Sequence, residues 1–490
     1  MNFQIVFKIL GILLIMFSVT HLTPLLVSLL YQDENSFPFL ISFSVTILTG
    51  LFFWLPVRNT DRDLRYRDGF LIVVLFWTVL AAFGSLPFLF TTYNPLSITD
   101  AFFESMSGLT TTGGTILTNL DSLPKSILYY RQQLQWLGGM GIVVLAVAIM
   151  PMLGIGGMQL FRAETPGPMK DSKLTPRITE SAKALWYIYF GLTVICILCY
   201  WVAGMSFFDA ICHAFSTIAI GGFSTHDESI GFFDSAVIES IAMLFMLIAS
   251  ANFSLHFIAW RRKSILPYLA DSEYRFFLAI IALAAIIVFG SLLNEQAYQD
   301  SSTTVRQGLF HLISVITTTG FTSSGFAWWP GALPVLLIML SFMGGCAGST
   351  AGGMKMMRIQ LMYKQCRKEI IRLIHPNAVL SIKTGGQVIS EKVISAVTAF
   401  SAMYILSFAV TAFALCAVGL DWVTAFSAAA ACLNNLGPGL ADVANNYASI
   451  NDAAKWILSF AMLLGRLELF TLLVFIHHHL LARLKPKANI

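Results

Sequence analysis

Long apolar runs alternate with short polar breaks along the chain. Ten runs, near 4–31, 37–56, 70–93, 127–153, 184–204, 233–260, 276–293, 332–365, 393–418 and 454–481, are long enough to cross a bilayer as helices. A hydrocarbon core of roughly 30 Å takes about 20 helical residues, so the pattern predicts an all-α polytopic membrane protein with about ten spanning helices. Four shorter apolar segments lie between runs: "DAFFESMSGLTTTGGT" from Asp100, "DAICHAFSTIAIGGFS" from Asp209, "QGLFHLISVITTTGFT" from Gln307 and "TAFSAAAACLNNLGPG" from Thr424. In this shared frame a small residue comes second (Ala101, Ala210, Gly308, Ala425) and an apolar one third (Phe102, Ile211, Leu309, Phe426). Thirteen positions after each start stands a glycine: Gly113, Gly222, Gly320 and Gly437. The hydroxyl-rich stretch "ISVITTTGFTSSG" is thus one of four copies.

Composition agrees with the pattern. The 490 residues are 57% hydrophobic and 11% charged, whereas a soluble domain is about 45–50% apolar and about 25% charged. The first run has no A-x-A-like cleavage site and more runs follow it, so it reads as a retained helix rather than a signal peptide. Lys and Arg concentrate in alternate loops, around 58–67, 162–183, 261–275, 358–392 and 483–487, while the other segments keep only Lys125, Arg131, Arg306 and Lys455 among mostly acidic residues. The bias places both termini in the cytoplasm and makes the net +4 a topology signal rather than a nucleic-acid footprint. The seven cysteines are scattered and read as small packing residues, and His477, His478 and His479 read as an interfacial stretch without companion metal ligands.

A segment of about a dozen residues cannot cross, so each of the four enters and leaves on one side as a re-entrant helix followed by a loop. Non-helical backbone survives at membrane depth only where protein buries it or it lines a watery cavity. Four such loops around one axis satisfy both conditions, and rings of their carbonyl oxygens can replace the hydration shell of a monovalent cation. Glycine gives the backbone the freedom to turn those carbonyls inward. The re-entrant helices also aim the partially negative ends of their dipoles at the cavity. A single Thr/Gly loop is more often a turn or a packing contact, but four in one frame make coincidence the poorer account.

With "GLTTTGGT", "AIGGFSTH", "TTTGFTSSG" and "NNLGPGL" in this arrangement, the chain resembles the Trk/Ktr/HKT superfamily of potassium transporters, and within it the bacterial Trk membrane subunit. The resemblance covers about 69–483. It implies four helix–pore-loop–helix units around one central pore, plus two extra N-terminal helices. The divisions expected are 1–68 for the extension, then repeats at 69–160, 161–265, 266–385 and 386–490. It also implies a potassium-binding filter at Thr111, Thr112 and Gly113; Ile220, Gly221 and Gly222; Thr318, Thr319 and Gly320; and Asn435, Leu436 and Gly437. A serine at the first glycine marks sodium-preferring relatives, and this chain has none. Repeat two departs with Ala219-Ile220-Gly221 and repeat four with Asn434-Asn435-Leu436, which weakens fourfold symmetry more than it threatens selectivity.

The run from 332 is interrupted by "GGCAGSTAGG", with Gly344, Gly345, Gly348, Gly352 and Gly353. Each glycine costs about 1 kcal/mol of helix stability relative to alanine, so the helix is expected to unwind there; close helix packing on small residues is the alternative. The stretch resembles the family's intramembrane gate loop. Arg466, in "LLGRLELF", lies about 22 Å along a helix from the basic C-terminal end, too far to snorkel. Pairing with Glu468 is the bland reading, yet residues two apart do not face each other on a helix. The family places an arginine here near the gate loop, and Lys355 follows that loop directly. Glu104, His213 and His311 share one position in three re-entrant helices and read as braces, with ion coupling as the alternative.

No Walker A pattern, H-E-x-x-H or G-x-S-x-G occurs, so neither ATP hydrolysis nor membrane-embedded catalysis has a site. A potential of about 150 mV, negative inside, gives an entering cation roughly 3.5 kcal/mol, enough for about 300-fold accumulation. Potassium uptake through a gated pore in the inner membrane is therefore the expected function, with proton or sodium symport left open. An ion-coupled transporter of another solute is the alternative; it usually shows inverted repeats. The resemblance adds a homodimer and a cytoplasmic nucleotide-binding regulatory subunit, TrkA, with NAD or ATP reaching the system only through that subunit.

Overall fold

A computed structural model describes residues 3–60, 66–149, 178–378, 380–385 and 387–467. Glu468, the tract from His477 to His479, the basic residues at 162–177 and 483–487, the boundary at 160 and the last run past 467 lie outside the described residues. An N-terminal extension of Phe3–Thr20, Leu22–Tyr31 and Ser36–Trp54 precedes four repeats of one plan. Each repeat has an outer helix (Tyr66–Gly84, Ile178–Val202, Ser272–Asn294, Glu391–Ala417), a short re-entrant helix (Ile98–Leu109, Phe207–Ala219, Ser301–Ile316, Trp422–Leu433), and an inner helix that follows the glycine loop. The only strands among the described residues are the two-residue pair Lys383–Thr384 and Gln387–Val388.

Six described helical stretches are long and apolar enough to cross a membrane, or seven counting one bent pair. The inner helices account for the difference from ten. The second is bent by 96° between Ala236–Ala249 and Phe253–Arg262. The third breaks between Leu333–Ser341 and Met356–Ile374, across the glycine-rich stretch. The first, Lys125–Ile149, carries Arg131, Gln132, Gln133 and Gln135 and kinks at Gly141, whose φ is 44°. The fourth is described from Asp452 to Arg466.

Local chemistry explains why the re-entrant helices are short. Each starts on a side-chain cap for an otherwise unpaired helix N–H: Ser97 accepts from Asp100 N at 3.1 Å, Ser206 from Asp209 N at 3.0 Å, Asp300 from Thr303 N at 3.3 Å and Asp421 from Val423 N at 3.0 Å. Each ends in a left-handed residue, Thr111, Ile220, Thr318 or Asn435. The next amide reaches back into the last helical turn: Thr112 N to Ser107 O (2.9 Å), and Gly221 N to Ser216 O, Thr319 N to Ser314 O and Leu436 N to Ala431 O (each 2.8 Å). This C-cap satisfies the helix carbonyls and turns the chain out of the helix at the same place four times. One apolar cluster joins the N-terminal extension, the first repeat and the fourth, so the two ends of the chain pack together.

Candidate functional site

The four glycine loops meet in a closed ring. A Cβ on Gly113 would lie 2.1 Å from Gly221 O, one on Gly222 2.1 Å from Thr319 O, one on Gly320 2.0 Å from Leu436 O, and one on Gly437 2.7 Å from Thr112 O. Each loop thus abuts the carbonyl of the next in chain order, and the fourth returns to the first. The four glycines have φ between 79° and 95°, a region that side chains disfavour. All twelve filter positions expected from the sequence come together here, with the left-handed residue two places before each glycine.

The threonine hydroxyls turn toward one another and the protein. Thr110 and Thr112 share a 2.8 Å hydrogen bond, as do Thr317 and Thr319, and Asn435 Nδ2 donates to Thr112 Oγ1 at 2.9 Å. The departure in repeat two has a spatial cause. Gln135, from the first inner helix, occupies the place of the missing side chain: a Cβ on Gly221 would lie 2.4 Å from its carboxamide carbon. Its Nε2 donates to Gly221 O at 2.6 Å and its Oε1 accepts from Phe223 N at 3.1 Å. In repeat four, Asn434 donates to Ser341 Oγ at 2.7 Å and accepts from Tyr404 OH at 2.7 Å.

Glu104, His213 and His311 hold the segment that follows the glycine in the first three repeats. Glu104 accepts from Thr115 Oγ1 and Ile116 N, each at 3.0 Å. His213 lies between Asp209 O and Ser224 Oγ, both at 2.9 Å, and His311 between Gln307 O at 2.9 Å and Ser324 O at 3.0 Å. Arg131 is buried on the far side of the glycines, pairing with Glu104 at 2.7 Å and donating to Ser224 O and Thr115 Oγ1, each at 3.0 Å. The "RQQLQ" cluster within an apolar run was the available signal for Arg131 and Gln135, since polar groups at membrane depth mark functional positions.

Residues beyond the glycines line a cavity of about 460 Å³, among them Thr115, Asp227, Glu228 and Thr322. Residues before the glycines meet the broken third inner helix instead. Gly352 N donates to Thr318 Oγ1 at 2.7 Å, Gly353 N to Asn434 O at 3.1 Å, and Thr350 Oγ1 to Ile218 O at 3.0 Å. A Cβ on Gly352 would lie 2.0 Å from Asn434 O, so the loop backbone is pressed against the base of the ring. Gly344, Gly348 and Gly353 take positive φ within the break, and Gly345 O accepts from Met356 N at 2.9 Å to close its neck.

Arg466 spans from loop to ring. Its guanidinium donates to Thr350 O at 3.3 Å, Thr111 Oγ1 at 3.4 Å, Gly139 O at 3.3 Å and also Gly138 O, just before the kink of the first inner helix at Gly141. Lys355 donates to Ala351 O and, at 3.5 Å, to Ser349 O, so its ammonium is folded onto the loop it follows. Six backbone or hydroxyl acceptors, three from the gate loop, one from the ring and two from the first inner helix, therefore face two cations. The "LGGMG" stretch at 137–141 drew no attention in the sequence, although it supplies two of them.

A family model described as a cation transport protein, TrkH, matches residues 35–480. The Trk system potassium uptake protein TrkH of Vibrio parahaemolyticus serotype O3:K6 is 55% identical over 476 residues, 97% of this chain and 98% of that one. TrkH of Escherichia coli K12 is 52% identical over 474 residues, again 97% and 98% of the two chains. TrkG of the same organism is 40% identical over 471 residues, covering 96% and 97%. The crystal structure of the potassium transporter TrkH from Vibrio parahaemolyticus superposes with a TM-score of 0.89 at 52% identity, covering 97% of this chain and 99% of that one. With its ring of four glycine loops and this match over nearly its whole length, the chain belongs to the TrkH family of cation transport proteins.

Proposed function

We propose that the chain takes up potassium across the bacterial inner membrane through the ring of glycine loops, with the broken third inner helix as its gate. The closed ring is the observation that carries the reading. Backbone carbonyls at Thr111–Gly113, Ile220–Gly222, Thr318–Gly320 and Asn435–Gly437 would replace potassium's water shell, while Arg131, Gln135, Glu104 and the two histidines hold the loops at fixed spacing. The potassium uptake named for the relatives at 52–55% identity supports the choice of ion. Lys- and Arg-rich loops support cytoplasmic termini, so that the ion would enter from the 460 Å³ vestibule. The units of this reading are an extension at 1–68 and repeats at 69–160, 161–265, 266–385 and 386–490.

Arg466 and Lys355 beneath the ring oppose a cation while the loop is in place; loop displacement opens the path. The membrane potential drives uptake, with symport of protons or sodium the open alternative, and the work done is transport rather than catalysis. We extend the reading to a homodimer surrounded by lipid and to a nucleotide-binding TrkA subunit on the basic face, through which NAD or ATP would act. Rubidium uptake into vesicles holding the purified chain, with and without competing sodium, tests the central step. Uptake resistant to sodium is expected; absence of transport for both potassium and rubidium would overturn it.

A further inference from the structure

One buried carboxylate grips the gate loop from the side away from the ring. Glu273, in the first turn of the third outer helix, is 3% exposed. Its Oε1 accepts from Ala347 N at 2.6 Å and from Met357 N at 2.9 Å. The first donor lies inside the loop and the second in the helix that leaves it, so a single oxygen ties both arms together. Gln360, one turn further on, donates to Ser272 O at 3.0 Å and docks the same helix on the same corner. The bent second inner helix holds the loop's flank, where Cys346 N donates to Ser250 O at 2.9 Å and Phe253 N to Gly348 O at 3.1 Å.

We propose that Glu273 is the latch of the gate: a positioning residue whose carboxyl oxygen holds the loop under the ring and releases it when the two bonds are lost. The inference rests on the gate reading above. Bonds from main-chain N–H to a carboxylate are about twice as strong as neutral ones. A loop pinned in this way stays closed by default, although its glycines make it compliant. Its bonds on the other side go to neutral acceptors, Thr318 Oγ1 and Asn434 O. Glu273 is thus the side-chain anchor that can be removed without touching the ring.

The test uses the full chain in proteoliposomes with Glu273→Gln and Glu273→Ala. Cys346 is a built-in reporter, because it neighbours Ala347 and is 1% exposed. The exposed Cys366 and Cys416 are first replaced by serine so that a water-soluble thiol reagent reads the loop. Glu273→Gln is expected to raise rubidium uptake about three- to tenfold, to accelerate Cys346 labelling by a similar factor, and to leave the preference for rubidium over sodium unchanged. Wild-type uptake with Cys346 still protected would overturn the latch, and so would increased uptake with sodium exclusion lost. Shortening the loop between Gly344 and Gly353 is the parallel arm. If that raises flux and Glu273→Gln does not, the gate stands and the latch falls; if shortening changes nothing, the gate falls and the latch with it. Should Glu273→Ala fail to fold, the isosteric Gln variant decides alone.

Discussion

A methyl group is all that separates the filter glycines from failure. Gly320→Ala would put its Cβ 2.0 Å from Leu436 O at a φ of 83°, adding left-handed strain of about 1–2 kcal/mol to a backbone collision. Rubidium uptake should fall more than about tenfold or lose its resistance to sodium; uptake and selectivity like the parent would refute the ring as the selective element. Arg466→Ala removes donors from Thr350 O and the carbonyls of Gly138 and Gly139, and flux measured at equal expression should rise. Reduced flux would sink the barrier role. His226, outside the spanning helices, meets Asp121 and lies 3.6 Å from Asp209. Burial disfavours its charged ring, but hydrogen bonds and attraction from Asp209 and Asp121 outweigh burial and hold its pKa above the ordinary 6.5. A raised folded-state pKa means that the stabilisation is full below about pH 6.5 and is lost as pH rises through the higher folded value. Melting temperature should decline over that window, and His226→Gln should flatten the decline. A variant that melts with the parent's pH profile would show that this pair is not the cause.

The re-entrant helix is the element on which the site is built, and its ends matter more than its middle. Ser206→Ala removes the acceptor for Asp209 N and should cost about 1 kcal/mol, read as a lower melting temperature with the rubidium/sodium preference intact. Loss of selectivity without destabilisation would count against the cap as a purely structural device. These helices were legible in the sequence because their length excludes a crossing and their frame repeats. The outer helices were legible for a different reason: an apolar run of about 20 residues needs no partner to be recognised. The break in the third inner helix was legible from its five glycines, but the bends of the first two inner helices were not. The turn of 96° after Ala249 and the kink at Gly141 arise where inner helices meet the gate loop or Arg466, contacts made only after distant segments assemble. The pairing of Arg131 was hidden for a related reason. Its charge is neutralised by Glu104, and that contact depends on how two helices of one repeat pack.

At the scale of the whole molecule, fourfold repetition yields a site that no repeat owns. The glycine frame announced that four loops meet, but not their cyclic contact, nor that Gln135 substitutes for a threonine in repeat two. Repeat four closes on repeat one through Asn435 and Thr112, 323 residues apart, and through Lys455 and Asp100, which pair at 2.6 Å across 355 residues. Lys455→Ala should therefore weaken the seam between chain ends, seen as earlier cleavage by protease of the folded protein, with little change in the other three contacts of the ring. Cleavage indistinguishable from the parent would mean the seam rests on apolar packing alone. The seam also sets a schedule for biosynthesis. A ribosome that has delivered three repeats to the membrane has made an open-sided trough, with polar backbone exposed to lipid. The trough becomes a conduit only when the helix beginning at Asp452 arrives to shut it. Chains cut short before that helix should be cleared by quality control, and a cell is spared a half-built, leaking hole.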